Sequence, residues 1–386
     1  MEYFTKRVRH EFLTACESAP YGRLRLITPE GTVHNFGTSG PVAEIQIHHW
    51  SVVTSLAKDG DIGLGRSYGE GLFDTPSIEG LAHFALANYS HFDKFSTPGL
   101  FGTLKYRFVD TVLRANSLRG SARNIRSHYD VGNEFYQLWL DESMTYSSAL
   151  FTDDDKDLER GQKRKYQRVL DRLEPNGRLL EIGCGWGGFA AQAADHGQDV
   201  TAITISPSQK GYADALLDGR ARINLQDYRQ TTGKFQNIVS IEMIEAVGMK
   251  FWPSYFSTVK ARLAEEGRAI VQAIVVPDEN FEAYRKSTDY IRANIFPGGM
   301  LMSVGMIRNQ AQLAGLEVKD VFSFGQDYAE TCRSWSGRID EQTDQIRKLG
   351  FQPNFVRHWQ YYLGICAAAF SFGQTNVVQV ELAHAK

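Results

Sequence analysis

The chain has 386 residues, 42 Lys and Arg against 45 Asp and Glu, a formal net charge of −3 and a hydrophobic fraction of 42%. That length accommodates two domains with ordinary apolar cores, and the near-balanced charge argues against a nucleic-acid binder. Cys16, Cys184, Cys332 and Cys366 lie without metal-ligand spacing and read as reduced thiols of a cytoplasmic protein with no metal site. No stretch approaches the ~20 apolar residues that span a bilayer and no signal peptide opens the chain, so any contact with lipid must be made by the surface.

In chain order, the first 120 residues read as a smaller mixed α+β domain, with strands at Arg23–Ile27 and Val42–Ile47. The glycine-rich run Gly60-Asp61-Ile62-Gly63-Leu64-Gly65-Arg66-Ser67-Tyr68-Gly69-Glu70-Gly71 does not lead from a strand into a helix, and reads as a loop of structural turns. Residues 100–126 carry Lys105, Arg107, Arg114, Arg119, Arg123 and Arg126 against Asp110, with Phe101, Leu104, Phe108, Val109, Val112 and Leu113 at helical intervals. Such a segment is either an interdomain helix or a basic amphipathic element that docks on anionic lipid. A second domain follows over 121–386.

Its centre is Leu179-Leu180-Glu181-Ile182-Gly183-Cys184-Gly185-Trp186-Gly187-Gly188-Phe189, an apolar strand running through four glycines into a helical pattern at 189–195. Glycine lets a ligand touch the backbone at such a turn. The dinucleotide fingerprint is G-x-G-x-x-G, whereas Glu181-x-Gly183-x-Gly185 is the usual order of an S-adenosylmethionine (SAM) loop. A β-branched strand follows at 199–205, then Ser206 as cap of a helix, and further strands at 221–225, 237–241 and 268–275 alternate with helices from Ser208, Trp252 and Gly305. The alternation predicts a doubly wound, mostly parallel sheet of Rossmann-like type. The second strand ends in Thr204-Ile205-Ser206, without the acid that normally holds a ribose.

The motifs Ser127-His128-Tyr129-Asp130-Val131-Gly132-Asn133, Met144-Thr145-Tyr146-Ser147-Ser148-Ala149, the glycine loop, Thr204-Ile205-Ser206-Pro207-Ser208-Gln209, Gln226-Asp227-Tyr228-Arg229, Ser240-Ile241-Glu242-Met243-Ile244-Glu245-Ala246-Val247-Gly248, Phe324-Gly325-Gln326-Asp327-Tyr328 and Tyr362-Leu363-Gly364-Ile365-Cys366 stand in the order of the cyclopropane fatty acid synthase family, which this chain resembles. The resemblance implies a class I SAM methyltransferase that adds a methyl-derived carbon to the double bond of unsaturated acyl chains in phospholipids. A carbocation then loses a proton to give a cyclopropane, or alternatively a methyl- or methylene-branched unsaturated chain. It implies SAM contacts at Tyr129, Gly183, Gly185, Thr204, Ser206, Gln209, Asp227 and Tyr228, and catalytic positions at Glu245, Tyr328, Cys366, Ser148, Gln272 and His128. In the family a bicarbonate is the proposed base, and its holders map to Ser148, Glu245, Gln272, Ile274 and Tyr328. Ser148 and Gln272 stand where ring-forming members have cysteine and histidine, so either the bicarbonate sits on neutral donors or the base has changed, and a changed base implies a branched unsaturated product.

From the residues alone, His128, Tyr328 and Cys366 read as packing residues before catalytic ones, while a carboxylate at Glu245 in an apolar stretch is costly without a function. Phe135, Tyr136, Trp139, Trp186 and Phe296 fit an acyl channel or a core. The expected setting is the inner face of the membrane, peripherally bound, in a homodimer. A small-molecule N-methyltransferase is the competing class, because amine-methylating enzymes share the glycine loop.

Overall fold

The computed structural model describes residues 2–92, 95 and 131–386. His128, Tyr129 and the basic segment 100–126 lie outside those residues, as does the boundary expected near 120. The chain forms two compact units, Met1–Leu113 with Arg285–Pro297 and Cys332–Gly373, and Arg114–Tyr284 with Gly298–Thr331 and Gln374–Lys386. No helix among the described residues is long and apolar enough to cross a membrane.

In the first unit, strands β1 (Arg23–Ile27), β2 (Val33–Phe36), β3 (Val42–Ile47) and β4 (Phe73–Asp74) form a sheet of order β2-β1-β3-β4, with β1 and β3 parallel. Alternation along β1 and β3 buries Leu24, Leu26, Ala43, Ile45 and Ile47, the period-two pattern of a sheet covered on one face. The helix Pro353–Phe372 packs on the helices Ser51–Gly69 and Ile78–Ala87.

The run from Gly60, expected as a loop, is instead mostly helix, broken at Gly60 with φ 59° and ψ −141°. Its glycines serve close packing more than turning. A Cβ on Gly65 would lie 2.4 Å from the Tyr290 ring, and one on Gly69 would lie 2.5 Å from the His358 ring.

In the second unit, β5 (Arg178–Ile182), β6 (Asp199–Thr204), β7 (Arg222–Leu225), β8 (Phe235–Ile241), β9 (Leu263–Val275), β10 (Leu316–Ser323) and β11 (Asn376–His384) form one sheet of order β10-β11-β9-β8-β5-β6-β7. β7, β6, β5, β8 and β9 are parallel, and β11 runs antiparallel to both its neighbours. The order reverses between β5 and β8, which opens a crevice at the carboxyl ends of those two strands. Leu180 and Ile182 face a core with Trp252, Tyr255 and Phe256, while Leu179 faces another with Tyr166, Val169 and Phe189.

On that second side lies the helix Leu158–Leu170, capped by Asp157, which accepts the Arg160 N–H at 2.9 Å. Its buried stripe is Leu158, Gly161, Gln162, Lys165, Tyr166, Val169 and Leu170, helical spacing with a lysine among the buried residues.

Candidate active site

The turn after β5 is built from left-handed glycines, with φ 84° at Gly183, 52° at Gly185 and 93° at Gly187. The N–H groups of Gly183 and Cys184 both donate to the Ile203 carbonyl at 3.0 Å, which ties the turn to β6. A Cβ on Gly183 would lie 2.6 Å from Met243 Cγ, whereas one on Gly185 would meet nothing within 4 Å. Gly183 therefore serves packing, and Gly185 leaves the free space that a cofactor touching the backbone requires.

Next along the edge, Thr204 Oγ1 donates to Gln209 Oε1 at 2.9 Å, and Ser206 caps the helix Pro207–Leu217. Beyond β7, Asp227 is gripped by Arg229, whose Nε and Nη2 donate to its two oxygens at 2.8 and 2.7 Å. Tyr228 packs edge-on against the Tyr255 ring. Gly183, Gly185, Thr204, Ser206, Gln209, Asp227 and Tyr228 thus gather after β5, β6 and β7, at the carboxyl edge where a cofactor is expected.

A second constellation stands after β8. Glu242 follows the strand directly and has φ 49°, a left-handed conformation that costs a side-chain-bearing residue roughly 1–2 kcal/mol. Its Oε1 accepts from Ser147 Oγ at 2.8 Å, the Ser148 N–H at 3.1 Å and Gln272 Nε2 at 2.7 Å, and its Oε2 accepts from the Tyr328 hydroxyl at 2.5 Å. Behind it, Lys165 Nζ donates to Ser147 Oγ at 3.0 Å. Gln272 Oε1 accepts from Gln379 Nε2 at 3.0 Å, and Gln379 Oε1 accepts from Arg168 Nη1 at 2.8 Å.

Three of the expected catalytic residues, Ser148, Gln272 and Tyr328, therefore converge on Glu242. The Ser148 hydroxyl is turned to the Ala149 carbonyl at 2.9 Å, so this residue contributes its backbone N–H, and the hydroxyl in the cluster is that of Ser147. Glu245 stands apart from these donors. Its Oε1 accepts the Ile274 N–H at 2.6 Å, and its buried Oε2 has no partner among the described residues. Burial first, and the charge of Glu242 second, raise its pKa to about 8, so at neutral pH it is an acid holding its proton.

Burial likewise raises Glu181 to about 8, against the pull of Lys165, and lowers Lys165 to about 7, against the pull of Glu242, Asp141 and Glu181. A bicarbonate does not fit this arrangement: the Ser148 N–H, Gln272 amide and Tyr328 hydroxyl assigned to hold it are engaged by Glu242, which a second anion would have to displace.

Residues 116–380 match the family model described as CMAS, mycolic acid cyclopropane synthetase. The chain belongs to this family. It is 33% identical over 383 residues to the tuberculostearic acid methyltransferase UfaA1 of Mycobacterium tuberculosis, covering 93% of this chain and 87% of that one. It is 31% identical over 354 residues to the cyclopropane-fatty-acyl-phospholipid synthase of Escherichia coli strain K12, covering 88% and 87%. Among solved structures, mycolic acid cyclopropane synthase CmaA1 complexed with SAH and CTAB superposes with a TM-score of 0.63 at 29% identity, covering 68% of this chain and 97% of that one. The chain is accordingly a SAM-dependent methyltransferase of the cyclopropane synthase family, with the mixed α/β fold read from its sequence.

The remaining candidates occupy separate places in this family member. Phe135, Tyr136, Trp139 and Trp186 pack with Tyr146 as one buried aromatic cluster in the second unit. Phe296 belongs to the first unit, where it meets Tyr362. Cys366 also lies in the first unit, on the helix Pro353–Phe372, and burial pushes its thiol up, far from thiolate formation. The reading of the residues passed over Glu242, Ser147 and Lys165.

Proposed function

We propose that this enzyme transfers the methyl group of SAM to one carbon of the double bond of an unsaturated fatty acyl chain carried by a phospholipid at a bilayer surface, and that Glu242 takes the proton the product must lose. SAM, which Gly185, Thr204, Gln209 and Asp227 would hold, would supply an electrophilic methyl: the alkene π electrons would form the new carbon–carbon bond as the sulfonium–methyl bond breaks, leaving a cation on the neighbouring carbon. That cation then gives one proton to a base.

The observation that carries this reading is Glu242 itself, held by four donors after β8, across the switch point from the open face of Gly185. Those donors fix the position and orientation of the carboxylate, and a carboxylate placed there would stabilise a nearby positive charge. Burial keeps the neighbouring Glu245 a neutral acid, so Glu242 is the carboxylate of the pair that serves as base.

Loss of a proton directly from the added methyl closes a ring. Hydride migration from the methyl-bearing carbon, followed by proton loss from the methyl, leaves a methylene branch.

The test incubates the protein with methyl-labelled SAM and vesicles of monounsaturated phospholipid. Label is expected in the acyl chains, and label found only in added small amines overturns the reading. Mass spectrometry of the released esters separates the products, because mild hydrogenation adds two hydrogens to a methylene branch and none to a cyclopropane.

A further inference from the structure

We infer that Lys165 receives, through the hydroxyl of Ser147, the proton that Glu242 takes from the substrate cation. The inference rests on the reading of Glu242 as the base. Its starting point is that Glu242 must be a carboxylate again before it can take a second proton, so the first has to move on, and the four hydrogen bonds to its oxygens define where it can go. The Ser148 and Gln272 N–H groups cannot accept it, and a tyrosine hydroxyl is a weak base. Among the described residues, the Ser147 hydroxyl is the neighbour that leads on to an amine, with Oγ 2.8 Å from Glu242 and 3.0 Å from Lys165 Nζ.

Lys165 is 0% exposed, over the Tyr166 ring at 4.1 Å, and the acids around it are Glu242, Asp141 and Glu181. Asp141 is itself occupied by the N–H groups of Ser143 and Thr145 at 3.0 and 3.1 Å. Burial brings the lysine to about 7, so the neutral amine that can accept a proton is available near physiological pH. An exposed lysine offers almost none.

The step balances without any further reactant. The O–H bond of protonated Glu242 breaks as its proton passes to Ser147 Oγ, and the Ser147 proton passes to Nζ. A carboxylate, a hydroxyl and an ammonium result, and the ammonium loses its proton to water between turnovers. The product meanwhile faces a carboxylate in place of an acid that could add the proton back.

The experiment compares Lys165→Arg, Lys165→Met, Ser147→Ala and Glu242→Gln with the parent enzyme, using methyl-labelled SAM and monounsaturated phospholipid vesicles. Rapid quenching gives the rate of the first turnover, and longer incubation gives the steady state. The ratio of first-turnover to steady-state rate should rise roughly tenfold or more in the Lys165 and Ser147 variants, because reset of the base is slowed more than the first proton transfer. Arginine keeps the charge but cannot accept a proton, so parental turnover in Lys165→Arg makes the lysine a fixed cation and overturns the inference. An unchanged ratio in Ser147→Ala, which removes one oxygen and decides the matter should the lysine variants not fold, overturns it as well. Glu242→Gln separates the two levels: normal product at the parental first-turnover rate in that variant defeats the reading of Glu242 itself.

Discussion

The turns after β5 and β8 leave the same sheet edge on either side of the switch point, and both bend through left-handed backbone. At Gly185 the turn carries no side chain and opens onto free space, while at Glu242 it carries a carboxylate seated among four donors. The contrast shows two uses of one strained geometry. Without a Cβ it admits a ligand, and with a long acid it supplies an anion of its own.

The largest expected effect breaks the β8 side. Glu242→Gln should lower turnover roughly 10²–10⁴-fold while leaving SAH affinity nearly unchanged, as loss of a general base without loss of a binding surface would. Glu242→Gly sharpens the point, because it relieves the left-handed strain and leaves the Ser148 N–H and the Tyr328 hydroxyl to hold a free anion. Added bicarbonate or formate should restore part of its activity, and titrating the anion against turnover checks this.

On the β5 side, Gly185→Val should weaken SAH binding about 100-fold by calorimetry, since a β-branched residue both fills the space and resists φ near 52°. If SAH binds this variant as tightly as the parent, the open face of Gly185 is not the cofactor's side.

Glu245 tests the same contrast through stability. Its pKa is raised from 4.5 to about 8, so the folded state holds a proton that the unfolded state gives up, and stability falls as pH rises through that window. Glu245→Gln removes this loss. Its gain in unfolding free energy, measured by denaturant titration, should be small at pH 4.5, grow toward pH 8 at up to about 1.4 kcal/mol per pH unit, and level off above. A gain that does not change with pH contradicts the buried, protonated acid. The smallest effect belongs to Cys366→Ala, expected within about threefold of parental turnover because a thiol kept protonated is no nucleophile.

Much of the second unit was legible because its strands are apolar, β-branched and separated by capped helices. The bounds of β1 and β3 and the glycine turn came directly from period-two alternation and from glycine spacing. β10 and β11 were missed, since in β11 the run Val377 to Val380 is buried on both faces and includes a glutamine, which erases alternation. The run from Gly60 was misread because composition does not separate a glycine that turns from one that lets a ring approach.

At the site, two acids share the motif Glu242-Met243-Ile244-Glu245, and sequence ranks them only by their apolar neighbours, which favours Glu245. The left-handed bend that swings Glu242 onto Ser147 has no signature in residue types, because a glutamate is not expected there. Lys165 left a trace: it falls on the buried stripe of Leu158–Leu170 at a position where the spacing calls for an apolar residue.

One consequence follows from Arg168, at the far end of the chain of amides. A guanidinium can only donate, so Gln379 must turn its oxygen toward Arg168 and its nitrogen toward Gln272, and Gln272 must in turn present nitrogen to Glu242. A primary amide is nearly symmetric in shape and could otherwise flip, setting oxygen against oxygen at the base. Arg168 thus acts as a compass for two glutamines, and the identity of the atom facing the carboxylate is decided from the helix Leu158–Leu170, by way of a strand two removed from β8.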